Sequence, residues 1–85
     1  MPRIRVYSRP GCHLCDELIE ALLPLVRDSA VVDVCNVDTR DDWRLEFGDR
    51  VPVVEVDGRF VCRYTLDAPA LRQALAGATS AMAAS

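Results

Sequence analysis

The chain has 85 residues, which is room for one domain and one core and not for a second function-bearing domain. It is 51% hydrophobic and 27% charged, with a net charge of −3, the balance of an ordinary soluble globular domain. All ten basic residues are arginine, spread from Arg3 to Arg72 without a cluster, which argues against a nucleic-acid surface; no run approaches the length of a membrane span.

The opening "MPRIRVYSR" has no apolar core of signal-peptide length. The expected setting is therefore cytoplasmic, where structural disulfides are rare. Four cysteines, Cys12, Cys15, Cys35 and Cys62, then need a reading other than a stapled scaffold.

"RIRVYS" (3–8) alternates, with Ile4 and Val6 on one face, and predicts a strand. Pro10-Gly11 breaks it. From His13 to about Arg27 the apolar residues Leu14, Leu18, Ile19, Leu22, Leu23 and Val26 keep helical spacing. Pro24, inside that pattern, should kink or thin the helix near its end. "AVVDVCNV" (30–37) is β-branched and predicts a second strand. Thr39 has the chemistry of an N-cap for a short helix from Arg40 to Phe47, stopped by Gly48.

"VPVVEVDGRFVCR" (51–63) places Asp57-Gly58 between two β-rich runs, the signature of a tight hairpin. A last helix follows, with Asp67 as cap, a staple of Leu66 on Leu71, Pro69 in the first turn and Gly77 as stop. The order is β-α-β-α-β-β-α, a domain over 1–78 with a flexible Ala/Ser-rich tail at 79–85. The first strand should be central and covered on both faces. Arg3 and Arg5 then have to bury their stems and reach water with their heads. Asp33 and Glu55 are expected at solvated or edge positions, and Trp43 as a packing residue.

Cys-x-x-Cys beside a βαβ pattern reads as a redox motif. Cys12 falls at a helix N-terminus, where unpaired N–H groups and the positive dipole end favour an anion. A thiolate is that anion, and it is the nucleophile. Cys15 lies one turn on, close enough to close a disulfide. Cys12 is thus the attacking thiol and Cys15 the resolving one. Arg9 and a protonated His13 favour the thiolate, while Asp16 and Glu17 oppose it. Half of a zinc site is the competing reading. It would need two more ligands from Cys35, Cys62 and His13; the two cysteines lie on separate predicted strands without a second paired spacing, and His13, inside the dithiol turn, is not expected to point inward with both sulfurs. Cys35 and Cys62 read as small buried hydrophobes.

The set "YSRPGCHLC", with "RVPVVEVDGRFV" further along, resembles the thioredoxin-like superfamily, and within it the small bacterial glutaredoxin-like proteins. The likeness covers roughly residues 3 to 77. It implies an α/β thioredoxin-like fold, a four-stranded mixed sheet flanked by three helices. It implies a thiol-disulfide oxidoreductase in which a cis bond precedes Pro52, Pro52 faces the dithiol, and the backbone of Val51 pairs with an extended substrate. Arg9 stands where typical glutaredoxins carry lysine, and its fork suits a carboxylate. His13-Leu14 stand where they carry Pro-Tyr, and Gly11 where thioredoxins carry Trp. Where glutaredoxins hold one end of glutathione on a Gly-Gly-x-Asp turn, this chain has "RYTLDAPAL": Asp67 is retained and both glycines are absent.

The resemblance thus makes Cys12 and Cys15 catalytic and Arg9, His13, Leu14, Val51, Pro52 and Asp67 substrate-binding. No metal or tightly bound cofactor is expected. Glutathione is a candidate co-substrate, and glutathione or a thioredoxin-reductase-type enzyme the candidate reductant. The expected partner is a disulfide-bearing protein or small thiol, met by a monomer, with no nucleic acid and no membrane. Two other classes compete: a metal or iron–sulfur carrier, and a non-catalytic binding module on the same fold.

Overall fold

The computed structural model describes the chain through Ala84, and its side chains through Gly77. In chain order the elements are β1 (Arg3–Ser8), α1 (His13–Val26), β2 (Val31–Asn36), a 3-10 turn (Val37–Thr39), α2 (Asp41–Phe47), β3 (Val53–Val56), β4 (Arg59–Arg63) and α3 (Ala68–Ala84). The sheet order is β2-β1-β3-β4. β1 runs parallel to β2, as a strand–helix–strand crossover requires, and antiparallel to β3, which pairs antiparallel with β4. This is the thioredoxin-like α/β architecture of a mixed four-stranded sheet and three helices.

The period-2 alternation of β1 decides the two faces of the sheet. Ile4 and Val6, fully buried, meet Leu18, Leu22 and Val26 of α1, Val54 and Val56 of β3, and Leu71 of α3. The α1 residues recur at four-residue spacing, so one stripe of the helix supplies its whole contribution. Leu66, half-buried, joins the same cluster just before α3, and Asp67 caps the helix, its Oδ1 accepting from the Ala70 amide at 3.1 Å. α1 continues through Pro24 to Val26.

The opposite face is different. Tyr7, Val37 and Val53 are buried there against Trp43 and Phe47 of α2, with the Tyr7 and Phe47 rings stacked at 4.1 Å and Trp43 edge-on to Tyr7 at 5.6 Å. The expectation that β1 is covered on both faces is corrected. α2 has seven residues, a rod of about 10 Å, and reaches only one end of the strand. Arg3 and Arg5 stay exposed. Arg3 pairs with Asp33 at 3.2 Å. Glu55 is not at an edge: it sits half-buried on the inner strand β3 and accepts from the Tyr7 hydroxyl at 3.1 Å.

Two termini differ from expectation. Thr39 is not the cap of α2; Arg40 precedes the helix without a side-chain cap bond. Asn36 instead organises the turn, its Oδ1 accepting from the Asp38 amide at 2.9 Å and its carbonyl from the Thr39 hydroxyl at 2.7 Å. Gly77 does not stop α3, which continues to Ala84; one helical glycine costs only about 1 kcal/mol relative to alanine. The flexible tail expected over 79–85 lies outside the residues whose side chains are described. At the hairpin, Asp57 and Gly58 have φ of 49° and 84°, the left-handed pair a tight two-residue turn demands. Asp57 also ties the hairpin to β1, accepting from the Arg3 amide at 2.9 Å.

Candidate active site

The strand directions bring four connections to one end of the sheet. The parallel pair Ser8–Asn36 and the antiparallel pairs Tyr7–Val53 and Val53–Arg63 are the last rungs there. Just beyond them lie the Arg9–Cys12 turn, the Val37–Thr39 turn, Val51-Pro52 and the Tyr64–Asp67 connection.

The Arg9–Cys12 turn delivers the dithiol. The Cys12 amide donates to the Arg9 carbonyl at 3.2 Å. Pro10 supplies the fixed φ and Gly11, at φ 78°, the left-handed corner. Cys12 is itself the N-cap of α1, in extended conformation, and its Sγ accepts from the Cys15 amide at 3.1 Å. A sulfur thus occupies the place that Ser or Asp oxygen usually takes. An N–H directed at Sγ, with the positive end of the helix behind it, stabilises a thiolate more than a thiol. The two sulfurs lie at disulfide distance, with Cα atoms 5.2 Å apart. Cys12 is half-exposed, whereas Cys15 is 1% exposed, so of the two Cys12 is the one open to solvent.

The other residues singled out in the sequence divide. Pro52 is buried, its bond to Val51 is cis, and Val51 is half-buried. The Pro52 carbonyl accepts from the Tyr64 amide at 2.8 Å. Tyr64 holds φ 68°, a left-handed conformation that no feature of "RYTLDAPAL" announces. Leu14 is exposed beside the dithiol, at 44%. His13 turns along the helix to Glu17, Nε2 to Oε1 at 3.0 Å. The Asp67 carboxylate is engaged in capping α3. Arg9 turns to the Val37–Thr39 turn, where Nε and Nη2 bond Asp38 at 3.2 and 3.0 Å and Nη1 donates to the Gly48 carbonyl at 3.2 Å. Bonding to Asp38 holds the guanidinium pKa above its ordinary value. Asp38 had no sequence signal: it lies 29 residues from Arg9.

The two remaining thiols are elsewhere. Cys62 is buried in the α1–α3 core, and Cys35 is half-buried on the opposite face. Burial pushes both thiols above their ordinary pKa; the Asp67 backbone opposes this at Cys62 and the Arg5 charge at Cys35. Among the described residues no three His, Cys, Asp or Glu side chains are grouped to hold a metal. A groove of about 570 Å³ beside Leu23, Pro24 and Val32 lies at the far end of α1 from the dithiol.

The glutaredoxin-like domain model (DUF836) matches residues 3–76. The chain belongs to this glutaredoxin-like family. It is 33% identical over 84 residues to uncharacterized proteins of Mycobacterium bovis and Mycobacterium tuberculosis, covering 92% of this chain and 87% of each relative. Among solved structures it is similar to the structural-genomics target protein XcR50 from X. campestris, at TM-score 0.66 and 35% identity over 87% of this chain and 96% of that one. Oxidized glutaredoxin 2 from Chlamydomonas reinhardtii superposes at TM-score 0.55 and 23% identity, covering 89% of this chain and 78% of its own; that likeness concerns the fold. The glutaredoxin-like domain and a Cys-x-x-Cys pair at disulfide distance are consistent with redox activity. Among the described residues no helix is long and apolar enough to cross a membrane.

Proposed function

We propose that the protein is a thiol-disulfide oxidoreductase that reduces disulfides with the Cys12–Cys15 dithiol. The observation that carries this reading is the half-exposed Cys12 Sγ accepting the Cys15 amide at the head of α1, with the second sulfur buried directly behind it.

In the reduced protein the Cys12 thiolate attacks one sulfur of the substrate disulfide. A mixed disulfide forms, and the other substrate sulfur leaves as a thiolate and takes up a proton. Cys15 then loses its proton and attacks the Cys12 sulfur. The second substrate thiol is released and the Cys12–Cys15 disulfide closes, so two electrons pass to the substrate. The burial of Cys15 favours this order, because the resolving thiol is shielded until the mixed disulfide brings a reactive sulfur to it. Val51 offers backbone N–H and C=O groups for an extended substrate next to Pro52, and Leu14 an apolar lip.

The substrate is a disulfide-bearing protein or small thiol, and the working unit a monomer in the cytoplasm. Glutathione or a thioredoxin-reductase-type enzyme returns the electrons. Glutathione is not the preferred partner, because "RYTLDAP" lacks the double-glycine backbone and Asp67 is already spent on its helix. The test is equilibration in graded glutathione buffers, with the Cys12–Cys15 state read by mass. A reversible two-electron transition without a dominant glutathione adduct is expected. A stable glutathione adduct throughout, or a dithiol inert at every ratio, would overturn the reading.

A further inference from the structure

Arg9 is the arginine nearest Cys12 in the chain, and it opens the same turn. Each nitrogen of its guanidinium has a partner within the protein: two on Asp38 and the third on the Gly48 carbonyl. Asp38 is held for this contact. Its amide is capped by Asn36 and its turn closed by Thr39, so the carboxylate is presented toward Arg9 before any substrate arrives. The pair is neither sealed nor loose: the side chains are 38% and 39% exposed. An incoming carboxylate therefore meets a guanidinium whose charge is already partnered by Asp38.

With Arg9 paired to Asp38, the charged side chains on the first turns of α1, beside the dithiol, are acidic apart from His13. Asp16, in the first turn of α1, has no ion-pair partner among the described residues, and Glu17 faces only His13; the Asp49 charge adds to that of Asp38 at Arg9. A thiol carrying carboxylates meets repulsion there, and a cationic one attraction.

We infer that Asp38 is a positioning residue acting through Arg9, and that it biases the dithiol toward disulfides carried on neutral or cationic groups. This rests on the proposed dithiol exchange and names its substrate class. Removing the Asp38 charge should release Arg9 to pair with substrate carboxylates and shift the preference toward anionic disulfides.

The experiment uses three small disulfides that undergo the same reaction and differ in charge: oxidised glutathione (anionic), bis(2-hydroxyethyl) disulfide (uncharged) and cystamine (cationic). Protein is reduced with dithiothreitol, freed of it and mixed with each. Every turnover closes the Cys12–Cys15 disulfide and sends two electrons and two protons to the small disulfide, released as two thiols. Each rate is divided by that of free dithiothreitol with the same disulfide, which removes intrinsic reactivity. The wild type should rank cystamine first and oxidised glutathione last. Asp38→Asn should raise the glutathione-to-cystamine ratio about two- to fivefold, the size of one partly exposed charge contact. Asp38→Glu should retain the wild-type ratio, and in the Arg9→Gln background Asp38→Asn should no longer move it.

Equal slowing toward all three disulfides in Asp38→Asn would mean a purely structural role and overturn the inference. So would an unchanged ratio, or a rise that persists without Arg9. A wild type that exchanges with none of the three overturns the proposed function itself, whereas exchange with an unmoved ratio overturns this inference alone.

Discussion

Four cysteines fall in two pairs, and the pairs could hardly be placed more differently. Cys12 and Cys15 sit at the head of α1, one half-exposed and one buried behind it. Cys35 and Cys62 sit in β2 and β4, the two edges of the sheet, on opposite faces. Three strand spacings separate those edges, about 14 Å, far beyond any disulfide. Sequence distance alone does not make the difference. The first pair has a helix end that directs an amide at one sulfur, and the second pair has only burial. The same element is pushed toward the thiolate in one setting and toward the thiol in the other.

The largest expected effect tests the first pair. Cys12→Ser should reduce disulfide exchange to the uncatalysed background. Cys15→Ser should still take the first step and accumulate a mixed disulfide on Cys12, seen as a mass increase equal to one substrate half. Exchange that survives in Cys12→Ser would move the nucleophile elsewhere and collapse the contrast.

Next in size is chemical reactivity. In the reduced protein at pH 7, iodoacetamide should alkylate Cys12 at least about tenfold faster than Cys35 or Cys62, since each pKa unit changes the thiolate fraction about tenfold. The direction with pH follows from the shifts. Burial raises the Cys35 and Cys62 pKa values, so their thiolates are scarce near neutrality and increase as pH rises. Labelling of the two should therefore increase steeply above pH 8. Peptide mapping after timed quenching reads all three rates, and faster labelling of Cys35 than of Cys12 at pH 7 would break the comparison.

Much of this contrast was legible before the fold, because its causes are local. The Pro10-Gly11 turn, the alternation of Ile4 and Val6, and Asp57-Gly58 each act over a few residues. The dithiol could be located from the start of the α1 pattern alone. What stayed hidden depends on distant or marginal terms. The Arg9–Asp38 contact joins segments that only the parallel pairing of β1 and β2 brings together. Arg9 therefore read as a free cation beside the thiol. Thr39 read as a cap because its chemistry suits one, but the Asn36 side chain claims the turn first. The open face over Arg3 and Arg5 follows from the length of α2, which residue types in β1 do not encode. Tyr64 adopts a left-handed φ without being Gly, Asn or Asp, the residues that usually signal it.

Stability separates the two sheet cysteines from each other. Cys62 is 7% exposed in the main core beside Val54 and Leu71. Cys62→Ser places a hydroxyl there with the Asp67 backbone as a polar partner, and should cost about 1 kcal/mol, the low end of the range for a buried polar group in mutational data. Chemical denaturation reads the change. Exchange kinetics should be retained in the folded fraction, since Cys62 takes no part in the proposed exchange. A stability unchanged from wild type would mean that this end of the core is wetter than its packing implies.

The smallest effect belongs to Cys35. It neighbours Tyr7 across the β1–β2 ladder and borders the Trp43–Phe47 cluster, yet β2 is an edge strand and the residue is only half-buried. A serine hydroxyl there can keep water as a partner, so the desolvation that penalises Cys62→Ser is absent. Cys35→Ser should change stability by no more than about 0.5 kcal/mol, the range of surface substitutions. It should also leave the rate of disulfide exchange and the labelling of Cys12 where they were, because its sulfur faces α2 while Cys12 opens at the head of α1. A loss of exchange in Cys35→Ser, with the fold intact by circular dichroism, would mean that a third thiol shares the chemistry. The division between a working pair and an inert pair would then have to be redrawn around the end of β2.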